Sequence, residues 1–201
     1  MDRRDALRIL GAVGAGVPAL AGLSAEDLHA AARDLHDRAP RPLQVLNPHQ
    51  NATVLAIAGL IIPDTDTPGA RATRVNEFID VLLAEWFDPA DRDRFLAGLA
   101  DVDTRARTLA GKDFVDCPAD RQTELLTAMD QEVARLRDLR RDGTSTESLN
   151  QNFFYTIKRL TLVGHYTSET GATQELHYQI IPNRFDGCAP LETGGRGEGS
   201  R

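Results

Sequence analysis

The sequence predicts an all-α protein, an irregular bundle of about six helices with an extended C-terminal segment. Three observations predict it. Apolar residues recur at helical spacing in most long segments, as in Val75, Phe78, Ile79, Leu82, Leu83 and Trp86. Start and stop residues bracket those segments: Asn47-Pro48, Asp88-Pro89, Gly111 and Asp142-Gly143. No segment sustains the apolar–polar alternation of a half-buried strand beyond a few residues.

The chain has 201 residues, is 41% hydrophobic and carries a net charge of −7. That length suits one domain with a real core, and the composition suits a soluble globular body. The acidic balance argues against nucleic acid, because a phosphate-binding face needs clustered Lys and Arg. Arginine greatly outnumbers lysine (Lys112 and Lys158 alone), a bias that does not by itself mark an anion site.

The first element, residues 1–23, divides into three parts. Arg3 and Arg4 form a charged start, Ile9 to Leu23 an apolar run, and Ala19-Leu20-Ala21 the small residues a signal peptidase accepts. The run is too short to span a bilayer comfortably as a helix. Arg3-Arg4-Asp5-Ala6-Leu7-Arg8 resembles a twin-arginine (Tat) signal, with alanine where a larger apolar residue is common. The resemblance implies that the Tat translocase exports the chain already folded.

Residues 24–47 read as a surface helix and linker: Ser24 can cap, Glu26 and Asp27 suit a first turn, and Pro40 and Pro42 end the pattern. The helical domain is expected over 48–188. Asn47 caps a buried helix "PHQNATVLAIAGLII" with proline at its first position. The polar loop "PDTDTPGARAT" follows, whose Asp and Thr residues are expected to cap the next helix and bond their own backbone. The amphipathic "VNEFIDVLLAEWF", "DRDRFLAGLADVDTRARTLA" and "CPADRQTELLTAMDQEVARLRDLRR" come next. The last long helix is "SLNQNFFYTIKRLTLVGHYTSETG", in which Phe153, Ile157, Leu160 and Gly164 form a core stripe. Gly171 is expected in the left-handed conformation beyond its end. Residues 189–201 are glycine-rich and are expected to be disordered.

Three patterns could carry chemistry, and each has a plainer reading. His165 and Glu169 share a helix face at i, i+4, a metal-compatible spacing, but no HExxH occurs and a packed histidine is the simpler account. Asp64 and Asp66 alternate like the start of a calcium loop, without the glycine and distal glutamate an EF-hand needs. Ser168 lies near His165 and Glu169, yet a catalytic triad is defined in space rather than by adjacency. No phosphate loop, GxGxxG or GxSxG is present, so the chain offers no self-sufficient active site.

The loop "IIPDTDTPGA", the helix "VNEFIDVLL", the segment "FFYTIKRLTLVGHYTSETG" and the closing "RFDGC" together resemble gluconate 2-dehydrogenase subunit 3, from about Leu55 to Cys188. His165 stands where that family often has an aromatic. The resemblance implies a small, helical, non-catalytic subunit at the periplasm or the outer face of the cytoplasmic membrane. Its partner would be a large FAD-containing dehydrogenase of the glucose–methanol–choline type acting on sugars or sugar acids, with a c-type cytochrome carrying haem in some complexes. This chain would support export, folding and docking. It has no CxxCH of its own for a covalent haem.

For that role Tyr155, Tyr166, Thr167, Ser168, Glu169 and Tyr178 are the expected interface residues, since aromatics are enriched in interface cores. Export would place Cys117 and Cys188 in an oxidising compartment, where a disulfide between them would close a loop of about seventy residues. Two rival functions are an autonomous metal-dependent envelope enzyme using His165 and Glu169, and a free-standing helical binding protein.

Overall fold

A computed structural model of the chain describes residues 42–144, 149–176 and 178. The expected signal at 1–23 with Arg3 and Arg4, the 24–41 part of the linker, Cys188 and the 189–201 tail lie outside the described residues. Among the described residues the architecture is all-α, with five α-helices, two short 3-10 turns and one π turn. These are α1 (Pro48–Ile61), α2 (Val75–Glu85), α3 (Pro89–Ala110), α4 (Ala119–Arg141) and α5 (Phe153–Tyr166). Helix α5 is central and touches all the others.

The local stop and start signals work as the residues predict. Asn47 caps α1 by accepting from the Gln50 N–H, and Gln50 returns a bond from its side chain to the Asn47 N–H, a reciprocal capping box. Asp88 accepts from the Asp91 N–H at 2.8 Å with Pro89 at the first helical position of α3. Gly111 and Gly143 take φ of +72° and +71°, the left-handed region where a side chain is strained. Asn152 caps α5 through the Tyr155 N–H.

The α2 start departs from expectation. Asp64, Thr65 and Thr67 bond within their own loop, with Asp64 Oδ1 accepting from Gly69 N–H at 2.7 Å. None of them caps α2. Its N-cap is Arg74, a left-handed non-glycine residue at φ 55° with no side-chain cap bond. A strained residue there costs roughly 1–2 kcal/mol, and the Arg74–Glu77 ion pair at the helix start offsets part of it.

Each helix buries one face. From α1 come Val54, Ile57 and Ala58; from α2, Val75, Phe78, Ile79, Leu82 and Leu83; from α3, Phe95, Leu99, Val102 and Ala106. Helix α4 adds Leu125, Leu126, Met129 and Val133, and α5 adds Phe154, Ile157 and Leu160. Two glycines let α5 approach its neighbours closely. A Cβ on Gly98 of α3 would fall 2.3 Å from the Phe153 ring, and one on Gly164 would fall 2.7 Å from the Phe78 ring. Phe153 is therefore only partly buried, seated on Gly98 and edge-on to Phe95 with centroids 5.2 Å apart, while Ile157, Leu160 and Gly164 complete the expected stripe.

No helix among the described residues is long and apolar enough to cross a membrane.

Candidate partner interface

The end of α5 and the turn beyond it form a closed polar network. His165 is fully buried, with Nδ1 at 3.2 Å from the Thr73 hydroxyl and Nε2 at 2.9 Å from Glu175 Oε2. An ionised carboxylate only accepts, so Nε2 carries the hydrogen toward Glu175. The Tyr166 hydroxyl donates to the other oxygen of Glu175 at 3.0 Å. Desolvation first, and then the bond to Glu175 and its charge, raise the Tyr166 phenol above its ordinary range.

What brings Glu175 back to His165 is the π turn Gly171–Glu175. Gly171 is not left-handed there: left-handed glycines among the described residues are Gly111 and Gly143. Gly171 is needed for space, because a Cβ would sit 2.1 Å from the His165 carbonyl oxygen. Glycine at a helix end satisfies either demand, and sequence alone favours the commoner one.

The expected interface residues separate into two sets. Ser168 is corrected to an internal role: it is 1% exposed, its hydroxyl donates to the His165 carbonyl at 2.6 Å and accepts from Gly171 N–H at 3.0 Å. Thr167 is half-buried and bonds back to the Val163 carbonyl. Glu169 and Tyr178 are exposed, and Tyr155 and Tyr166 half-buried, so these four keep surface to offer. Tyr155 lies beneath the Arg137 guanidinium, whose carbon is 5.5 Å from the ring centroid.

The imagined metal pair does not form, because both His165 nitrogens are taken by Thr73 and Glu175 rather than by Glu169. Among the described residues no group of three or more His, Cys, Asp or Glu side chains could hold a metal. A pocket lined by Phe87, Phe95, Phe153 and Thr156 holds about 20 Å³, the space of a single water, against roughly 300–1,000 Å³ for small-molecule sites. Cys117 is buried, with Sγ 3.6 Å from the Lys112 carbonyl.

Two structural carboxylates escaped the sequence reading. Asp80, on the apolar side of α2 and 2% exposed, accepts from the backbone N–H groups of Gln44, Val45 and Leu46 at 2.7, 3.0 and 2.8 Å. Asp103 accepts from Phe114 N–H at 3.0 Å and meets His49 Nε2 at 2.7 Å. An acidic residue inside an apolar stripe was the available signal for both.

A family profile described as gluconate 2-dehydrogenase subunit 3 matches residues 48–183, well over half of the chain. No curated protein and no solved structure matches it.

Proposed function

The chain belongs to the gluconate 2-dehydrogenase subunit 3 family, and on that premise we propose that it is the non-catalytic small subunit of an exported FAD-dependent dehydrogenase. The large subunit would be of the glucose–methanol–choline type and act on a sugar or sugar acid. This chain would carry it through the Tat route, support its folding and remain docked to it at the periplasmic face, with a c-type cytochrome as a third component taking the electrons.

The observation that carries this reading is the match itself, which covers the helical body from the start of α1 past the π turn. A family named for a third subunit implies a multi-subunit dehydrogenase. The chemistry of the body agrees with a supporting role: the buried histidine and carboxylates are spent on holding the chain together. His165 ties α5 to the loop before α2 and to the π turn, and Asp80 ties the segment 44–46 ahead of α1 to α2.

The test is purification of the tagged full chain from its native host. A stoichiometric yellow partner carrying FAD, with sugar- or sugar-acid-dependent dye reduction, is the expected result. A chain that comes through alone, with no flavoprotein at native expression levels, overturns the proposal.

A further inference from the structure

On the face where α5 lies beside α4, two guanidinium groups surround one tyrosine. Arg159 of α5 is half-buried. Its Nη1 is shielded from solvent and has no hydrogen-bond partner among the described residues. Desolvation pulls this guanidinium below its ordinary pKa, with only the nearby Tyr155 acting the other way. Burial of an uncompensated charge is costly, and proteins seldom keep one without a purpose.

The neighbourhood explains why nothing among the described residues answers it. One helical turn either side of Arg159 stand Tyr155, Thr156, Leu162 and Val163, none of them acidic. One turn either side of Arg137 stand Val133, Ala134, Arg140 and Arg141, again with no carboxylate. On the half of α4 that carries Arg137, the acids are already engaged: Asp130 by Lys158 at 2.7 Å, Glu132 by Arg105 at 2.7 Å and Asp138 by Arg141 at 3.0 Å. The Lys158–Asp130 pair also joins α5 to α4, which holds the two arginines in fixed relation. On a chain of net charge −7, this face is locally positive.

We propose that the α4–α5 face built on Arg159, Arg137 and Tyr155 receives an acidic side chain of the large flavoprotein subunit. The proposal rests on the reading above that such a subunit is the partner. A carboxylate set against the part of Arg159 that stays exposed would supply the counter-charge that its half-buried guanidinium lacks. Tyrosine and arginine flanking one another, partly desolvated before the partner arrives, is the composition of interface residues that dominate binding. An anionic membrane surface suits the face less well, because lipid recognition draws on clusters of about four to eight cations.

The experiment compares the full chain with R159Q, R159K and R137Q, each co-expressed with the flavoprotein and each also purified alone. The wild type is expected to bind. R159Q should weaken the complex by about tenfold or more, with R159K intermediate and R137Q showing a smaller loss. The thermal midpoint of free R159Q should equal or exceed that of the wild type, because the variant sheds an unpaired buried charge. Equal affinity of R159Q and the wild type for the flavoprotein overturns this inference and leaves the proposed function standing. So does a free R159Q whose thermal midpoint falls far enough to account for the lost binding. A wild type with no flavoprotein partner overturns both. Flotation of the wild type with phosphatidylglycerol vesicles, abolished in R159Q while the protein complex stays intact, would reassign the face to a membrane.

Discussion

Replacing Asp80 by alanine removes the acceptor that holds residues 44–46 against α2. Three backbone N–H groups end on this one carboxylate, across 34 to 36 residues of chain. Leu46 N–H is buried and has no water to turn to, so its loss costs about 1–3 kcal/mol. Gln44 and Val45 are closer to the surface and can rehydrate, adding roughly 0.5–1 kcal/mol each. The sum is about 2–5 kcal/mol for Asp80→Ala. Asp80→Asn keeps one acceptor oxygen for Val45 and Leu46 but turns an amide N–H₂ toward Gln44, and about 1–2 kcal/mol is expected. Equilibrium urea unfolding followed by circular dichroism gives both values. Limited proteolysis around residues 42–46 should show earlier cleavage in the alanine variant before global unfolding. A loss below ~1 kcal/mol for Asp80→Ala, or equal losses for alanine and asparagine, would refute the assignment of Asp80 as a clamp.

Gly98→Ala drives a methyl into the Phe153 ring and should cost about 1–3 kcal/mol in the same assay, with Phe153→Leu in the same chain recovering part of it. The raised Tyr166 phenol favours the neutral form in the fold. The stability it contributes is therefore present below the ordinary phenol pKa of about 10 and is lost as pH rises through the higher folded value. Thermal midpoints should fall across that alkaline window in the wild type and fall less in Tyr166→Phe; identical profiles would exclude Tyr166 as the source. Arg3 and Arg4 replaced together by lysines should hold the chain and its large partner in the cytoplasm on fractionation, whereas continued export would end the Tat assignment. Non-reducing peptide mapping of the exported protein is expected to yield a linked Cys117–Cys188 peptide, a crosslink worth ~4 kcal/mol in the chain-entropy picture; free thiols or a cross-chain peptide would refute the pairing.

The helix borders were legible because their causes are local. Asn47 with Pro48, Asp88 with Pro89, and the glycines at 111 and 143 act through bonds and dihedral limits spanning at most a turn. The amphipathic faces were legible for the same reason, since a helical period is a property of consecutive residues. The family was legible in the order of several short motifs, and the profile match over 48–183 agrees with it. The loop before α2 was half legible: Asp64, Thr65 and Thr67 bond their own backbone as expected, but closing the loop on Gly69 leaves none of them to cap α2.

By itself, then, the sequence determined the helical class, most helix ends and the family, all of which rest on interactions between near neighbours along the chain. Only the tertiary structure decided which side chains answer one another. It paired His165 with Glu175 and Thr73 instead of Glu169, turned Ser168 inward, set Phe153 on Gly98, gave Asp80 its three donors and left the Arg159 Nη1 without an acceptor among the described residues. Those outcomes depend on how the other four described helices close around α5. A contact across 92 residues, such as Thr73 with His165, leaves no periodic trace in either segment. It exists because packing brings the two together, and spacing along the chain carries no record of that.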